Sequence, residues 1–343
     1  MESETVAGCP LDAENRNIMA LKTWARSGIV AGSIAAAGFA ASYSWFYYKM
    51  WNRPVGQSSS WCIEITPDEA RTGEWMKRHS EISGIIQWRR WSSYAGRYCE
   101  EGITSAHQIA RRIATGQREE VAVIVPAKRS LAELASVIAV QLHADSASIV
   151  QRLKPDSVQW KIIPNTYNMY WETDAKELTE RLLSESADWW NRKRVDRAWE
   201  LGLSQKQVVT LASIVQEETA NKGEAKKVAG LYLNRLNRGM LLQADPTLKF
   251  ALGDWTIQRL LDKDKKTNSP YNTYRNPGLP PGPIRIPDSY YIDAVLNAES
   301  HNYLYMCAKP DGSGTHAFAR NYSQHLKNAR AWQNMLNRER IYR

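Results

Sequence analysis

Two adjacent acids, Glu217 and Glu218, close an apolar run that begins at Val208. Ser204 is a good N-cap, and Gln207 three residues later completes a capping box, so a helix is predicted from there to about Thr219. At about 100° per residue, Val208, Leu211, Ala212, Val215 and Thr219 share one stripe. Glu218 lies beside that stripe, near Leu211 and Ile214. Glu217 is expected to point roughly the opposite way, to water. A carboxylate beside apolar neighbours loses hydration, so its pKa rises and it can hold a proton near neutral pH. A general acid for glycosidic cleavage needs that property. The competing use of the same pattern is a boundary glutamate that reaches solvent or caps a neighbouring loop.

Further polar groups follow in order. A second helix is expected from about Glu224 to Arg238, closed by Gly239. Just beyond it, Gln243, Asp245 and Thr247 form a compact cluster. Asp245 could be the second carboxylate that an ordinary glycosidase uses as base or nucleophile, or it could cap a turn before Pro246. The stretch from Pro270 to Pro287 holds six of the chain's 14 prolines. Such a loop is stiff and poor in backbone donors. It can hold Tyr271, Asn272 and Tyr274 at little ordering cost. Tyrosines suit sugar faces, and Asn suits hydroxyl and acetamido groups. A rigid connector packed on the core is the alternative. Asn165, after Pro164, could cap a turn or line a groove. His316 falls on the second strand of a predicted hairpin whose first strand is Tyr303–Tyr305. It is a candidate groove residue or a structural histidine.

The elements that must position these groups begin with an uncharged segment, Ile29 to Tyr48. Its length matches about one bilayer crossing, and Tyr43, Trp45, Phe46, Tyr47 and Tyr48 form an interfacial belt at one end. The 28 residues before it are long for a signal n-region, so an uncleaved anchor is expected. Lys22 and Arg26 flank one side and Lys49 and Arg53 the other, so charge does not set the orientation. Val6-Ala7-Gly8-Cys9 looks like a lipobox, but no apolar run precedes it.

After the anchor the pattern is short and mixed. A strand is expected at Trp61–Thr66, a helix at Pro67–His79, and a strand at Gly96–Cys99 turning at Glu101-Gly102. Thr104 should cap a helix to about Thr115, closed by Gly116. A strand at Val121–Val125 and a helix at Ser130–Leu142 follow. The last region starts near Ser146 and includes a helical stretch from Ala175 to Leu201. The expected class is α+β: a tail at 1–28, a transmembrane helix at 29–49, a small β/α module at 50–145, and a mixed α+β domain at 146–343.

Composition sets outer limits. The chain has 343 residues, and a hydrophobic content of 43% supports a real core. The net charge of +9 is spread along the chain, which fits an acidic polymer or a membrane surface. Nucleic acid is not expected as a partner, because no recognition helix, zinc-finger spacing or RNP-like strand is present. Of the 14 tryptophans, Trp75, Trp88, Trp91, Trp160, Trp171, Trp189 and Trp190 could stack on sugars, but most are expected to fill cores. Cys62 and Cys99 could form a bridge in the first module. Cys307, in an apolar strand, is expected to be a buried thiol. Cys9 falls before the anchor. No spacing of His and Cys suggests a metal site.

Taken in order, Leu211-Ala212-Ser213-Ile214-Val215-Gln216-Glu217-Glu218, Leu242-Gln243-Ala244-Asp245-Pro246-Thr247, Ser269-Pro270-Tyr271-Asn272-Thr273-Tyr274, Gly278-Leu279-Pro280-Pro281-Gly282-Pro283-Ile284 and His316-Ala317-Phe318 resemble one family. It is the MltG (YceG-like) family of membrane-anchored endolytic murein transglycosylases. The resemblance runs from about Tyr94 to Arg330 and takes in Ile163-Pro164-Asn165-Thr166-Tyr167. It implies a LysM-like first module and a catalytic domain outside the cytoplasm, in the periplasm, anchored by a single pass in the inner membrane. It places the acid at Glu218, with no metal or organic cofactor. That carboxyl would protonate the bridging oxygen between MurNAc and GlcNAc. It would then take the proton of the MurNAc C6 hydroxyl, closing a 1,6-anhydro ring. Gln243, Asp245, Thr247, Tyr271, Asn272, Tyr274, Asn165 and His316 become candidate substrate contacts. Peptidoglycan strands are the implied substrate. The implied protein partners are a penicillin-binding protein and other elongation or division proteins.

The chain departs from the family pattern at Gln216, where many members have Glu, and at Leu326, where many have Asn after the histidine matching His325. Two other classes compete. One is a lysozyme-type hydrolase using Glu218 and Asp245, and the other a non-enzymatic glycan-binding regulator of cell-wall synthases.

Overall fold

A computed structural model describes residues 11–52, 54–55, 60–101 and 104–338. Cys9 with the lipobox-like sequence, Arg53, and Gly102 of the expected turn lie outside them. The chain divides into two compact units, residues 1–119 and 120–343.

The first unit opens with a long helix, α1 (Leu11–Asn52). Within it, Gly28–Lys49 is long and apolar enough to cross a membrane, and none of that stretch is buried by protein. Strand β1 (Pro54–Val55) pairs with β4 (Thr104–Ser105), and β2 (Ser60–Ile65) pairs antiparallel with β3 (Gly96–Glu101). Cys62 and Cys99 face each other in the second ladder and form a disulfide.

Three helices, α2 (Pro67–Thr72), α3 (Trp75–Arg78) and α4 (Ser80–Arg89), link β2 to β3, and α5 (Ala106–Thr115) follows β4. The single helix expected at Pro67–His79 is broken. Gly73 adopts a left-handed φ of 72° and caps α2 by donating to the Glu69 carbonyl. Capping boxes start α2 at Thr66/Glu69 and α5 at Ser105/Gln108, one residue later than the cap expected at Thr104. Ile63, Ile65, Trp75, Ile85, Tyr98 and Ile109 form the core, so Trp75 is a packing residue.

The second unit carries the rest of the α+β fold. Strand β5 (Glu120–Val125) pairs antiparallel with β6 (Asn165–Tyr170). Helices α6 (Leu131–Ala139), α7 (Ser146–Leu153) and α9 (Ala175–Trp189) pack a core with that ladder through Leu134, Ile138, Ile149, Leu178 and Leu182, and α8 (Asp156–Gln159) precedes β6. The strand and helix expected to finish the first module therefore belong here, because β5 finds its partner some forty residues downstream. Asn165, expected in a turn, begins β6 opposite Val125.

The helical stretch expected from Ala175 to Leu201 is interrupted at Trp190 and restarts as α10 (Arg192–Glu200). Asn191 supplies the new N-cap by accepting from the Arg194 N–H. Then come α11 (Gln205–Glu218), α12 (Ala225–Asn237), α13 (Asp245–Leu252) and α14 (Ser289–Leu296). A hairpin of β7 (Tyr305–Ala308) and β8 (His316–Ala319) follows, and α15 (Tyr322–Arg338) ends the described chain.

Helix α11 is the centre of this second core. Every residue from Val208 to Val215 is buried, so the helix is enclosed on all sides rather than along one stripe. Helices α12 and α14 pack against it, and α12 also lies against the segment after α14. That last approach requires Gly230. A Cβ there would come within 2.3 Å of the Glu299 carbonyl oxygen and 2.9 Å of the His301 ring.

Candidate active site

Glu218 is the last residue of α11, where Thr219 turns the backbone to an extended conformation. The residue is half-buried, with its carboxyl among the side chains of neighbouring segments. Tyr232 of α12 donates a hydrogen bond to Oε1 at 2.7 Å. Burial, and after it the nearby charge of Asp245, raise the Glu218 pKa to about 7. The Tyr232 hydroxyl, Arg235 and Lys249 pull the other way. A carboxyl poised in this way is half protonated near neutrality, as proton transfer in both directions requires.

Asp245 starts α13 and is exposed. The Tyr274 hydroxyl donates to its Oδ1. Burial, with the Asp245 charge beside it, holds the Tyr274 phenol well above its usual range. Thr273 joins the two segments. Its carbonyl accepts from the Gln243 N–H at 3.1 Å, and its hydroxyl accepts from the Ala244 N–H at 3.0 Å. That hydroxyl also meets the Thr247 hydroxyl at 2.8 Å. Gln243 itself is exposed and held at a left-handed φ of 48°.

The other expected contacts have structural partners. Thr247 is fully buried and also donates to the Ala244 carbonyl. Asn272 is fully buried. Its amide donates to the carbonyls of Lys265 and Thr267, and its Oδ1 accepts from the Tyr274 N–H. Tyr271 is half-buried against Phe250, with ring centres 4.7 Å apart. The Asn165 side chain is exposed and accepts from the Thr166 N–H. His316 is held by Glu224, whose carboxylate lies 3.1 Å from Nδ1 and also accepts from the His316 backbone N–H. The structure thus brings Asp245 and Tyr274 to Glu218 and gives Thr247 and Asn272 the work of fixing the loop. Cys307 is half-buried, and that burial raises its thiol pKa.

Glu217 does not face water. Its side chain is only 6% exposed and accepts from both Arg129 and Arg285. Helical periodicity places Glu217 off the apolar stripe correctly, but two arginines from distant segments cover that side of the helix. Gln216 is also occupied: its Oε1 accepts from the Asp288 N–H at 2.8 Å, next to the start of α14.

A depression of about 1050 Å³ lies between α10, α12 and α14, walled by Lys193, Arg194, Lys226, Tyr290 and Asp293 among others. Glu218 is not part of its wall.

The sequence signal missed Tyr232, Thr273, Arg129 and Arg285. Each reaches its partner across 14 to 88 residues, beyond any local spacing rule.

The chain is similar to several known proteins. A 120-residue stretch, 35% of this chain, is 39% identical to the endolytic murein transglycosylase of Bacillus subtilis (strain 168). A 130-residue stretch is 33% identical to the endolytic murein transglycosylase of Streptococcus pneumoniae serotype 2. The matched stretches span 32% and 23% of those proteins' own lengths. The crystal structure of a putative yceG-like protein, lmo1499, from Listeria monocytogenes superposes with a TM-score of 0.51 at 23% identity. That superposition covers 78% of this chain and 98% of the other, so the fold is shared. The YceG-like family model matches residues 71–331, and the chain belongs to that family.

Proposed function

We propose that this chain is an endolytic murein transglycosylase that cleaves the MurNAc–GlcNAc bond of nascent glycan strands. The observation that carries the proposal is Glu218 itself: a half-buried carboxyl with its pKa raised to about 7 and a hydrogen-bond donor fixed on one oxygen. In the first step Glu218 gives its proton to the bridging oxygen as the bond from MurNAc C1 to that oxygen breaks, and GlcNAc leaves as the alcohol. In the second, the MurNAc C6 hydroxyl oxygen attacks C1 and its proton passes to the Glu218 carboxylate. The enzyme ends as it began, no water is consumed, and the strand ends in 1,6-anhydro-MurNAc. One carboxyl can serve both steps because losing its proton makes it a base.

Asp245 supports Glu218 as the acid. Its charge keeps the proton on Glu218, and Tyr274 holds its Oδ1. Gln243, Tyr271 and Tyr274 are the proposed substrate contacts. The Gly28–Lys49 segment would anchor the chain in the inner membrane with the catalytic unit outside the cytoplasm. The Cys62–Cys99 disulfide fits an oxidising compartment. In the first unit a two-stranded ladder with intervening helices suits a LysM-like, glycan-binding role. A penicillin-binding protein and other elongation or division proteins would be the partners at the membrane.

Mass spectrometry of products from a defined nascent glycan tests the reaction. Strands ending in 1,6-anhydro-MurNAc are expected. Reducing MurNAc ends would mean a hydrolase, and binding without turnover would mean a regulator.

A further inference from the structure

Tyr232 lies fourteen residues beyond Glu218, on the neighbouring helix, and is only 2% exposed. Helix α12 holds it rigidly. Asn234 donates to the His301 carbonyl at 2.7 Å, and Arg235 donates to the carbonyls of Leu304 and Leu242, each at 2.6 Å. The Tyr232 hydroxyl has one acceptor among the described residues, Oε1 of Glu218. Oε2 of Glu218 makes no hydrogen bond among them and is not one of the buried unpaired atoms. The two oxygens of the carboxyl are therefore not equivalent.

Resting on the role proposed above for Glu218, the geometry points to Tyr232 as its positioning residue: by donating to Oε1 it confines the mobile proton to Oε2. The carbonyl oxygen of a carboxylic acid is a better acceptor than its hydroxyl oxygen, so a proton on Oε1 would weaken this hydrogen bond. With Oε1 engaged, Oε2–H is the atom that protonates the glycosidic oxygen. After transfer, the Tyr232 hydrogen bond steadies the new carboxylate, and Oε2 recovers a proton from the C6 hydroxyl. Tyr232 keeps its own proton throughout, since burial and the adjacent Glu218 hold its phenol well above the usual range. Asp245, Tyr274, Arg235 and Lys249 are the other charged or titratable groups acting on this pair.

The test titrates the Glu218 carboxyl by NMR of isotope-labelled glutamate in the full chain, with and without Tyr232→Phe. A hydrogen bond donated to a carboxylate favours the ionised form, so its loss should raise the midpoint by about one pH unit. Fluorotyrosine at position 232, a stronger donor of nearly the same size, should lower the midpoint. It also preserves the test should the Phe variant fail to fold. In turnover assays Tyr232→Phe should slow cleavage about tenfold, with the fall in activity at alkaline pH moved to higher pH. Coincident midpoints in all three proteins, or a fall with Phe, would overturn the assignment. The titration needs no turnover, so wild-type protein that forms no 1,6-anhydro ends would defeat the proposed reaction while leaving the Tyr232 contact to be judged separately.

Discussion

Arg129 grips Glu217 with two parallel hydrogen bonds, Nε to Oε1 at 3.0 Å and Nη2 to Oε2 at 2.8 Å. Arg285 adds a third at 2.5 Å, and the Arg129 guanidinium rests over the Trp255 ring, 4.6 Å from its centre. The residue beside the proposed acid is thus a junction between α11 and two loops.

Glu217→Gln should therefore destabilise the protein. It removes the charge facing Arg285, whose side chain is only 14% exposed. The loss should be about 2 kcal/mol, below the usual figure for a fully buried pair because Arg129 is 45% exposed. Thermal melting should show a drop of several degrees, with a parallel fall in activity. An unchanged melting temperature would mean that the junction carries no stability.

Glu218→Gln should abolish cleavage, by at least about a thousandfold, with the fold intact. It should also change the pH dependence of stability. The wild-type carboxyl has a folded pKa near 7 against an ordinary value of 4.5. Its neutral form is favoured on folding, so that stability is complete below about pH 4.5 and is lost as pH rises through 7. The difference approaches roughly 3 kcal/mol above pH 7. Denaturant titrations should find the Gln variant more stable than wild type at pH 8, with the gap reduced at pH 4.

Asp245→Asn removes a charge that raises the Glu218 pKa. The alkaline fall in activity should move to lower pH, opposite to the shift expected for Tyr232→Phe, while the products keep 1,6-anhydro ends. Complete loss of turnover, with Glu218 still titrating, would instead give Asp245 a direct chemical role.

Gly230→Ala should cost about 2 kcal/mol, because the added methyl meets backbone at Glu299 rather than a side chain that can swing away. Calorimetry measures the loss. Activity at a permissive temperature should fall too, since any shift of α12 carries Tyr232 with it.

Reduction of Cys62–Cys99 should destabilise the first unit by about 4 kcal/mol, given a sequence separation of 37. Hydrogen exchange should speed up in β2 and β3 and stay unchanged in α11.

Local chemistry made much of this legible. Ser204 with Gln207 announces the start of α11, and Gly239 follows the end of α12, because caps act within a turn of their own helix. The hairpin carrying His316 follows from short-range pattern as well. The fate of Glu217 does not, because periodicity reports angles around a helix and says nothing of the arginines delivered to that side from residues 129 and 285. The same limit hid Tyr232 and the pairing of β5 with β6. Sequence alone offers Asn272 and Thr247 as sugar contacts, because amide and hydroxyl groups suit sugars and loop backbone equally. Burial separates the two uses, and both are fully buried.

The Thr273 hydroxyl and carbonyl fasten the proline-rich loop to the first turn of α13 at three points. Loop and helix start are consequently a single mechanical part. Tyr274 and Asp245 sit on opposite sides of that fastening and cannot drift apart without breaking it. If glycan enters beside Glu218 as proposed, it meets a wall of set width, and a bulkier polymer would be accommodated only by bending or by α13 tilting as a whole.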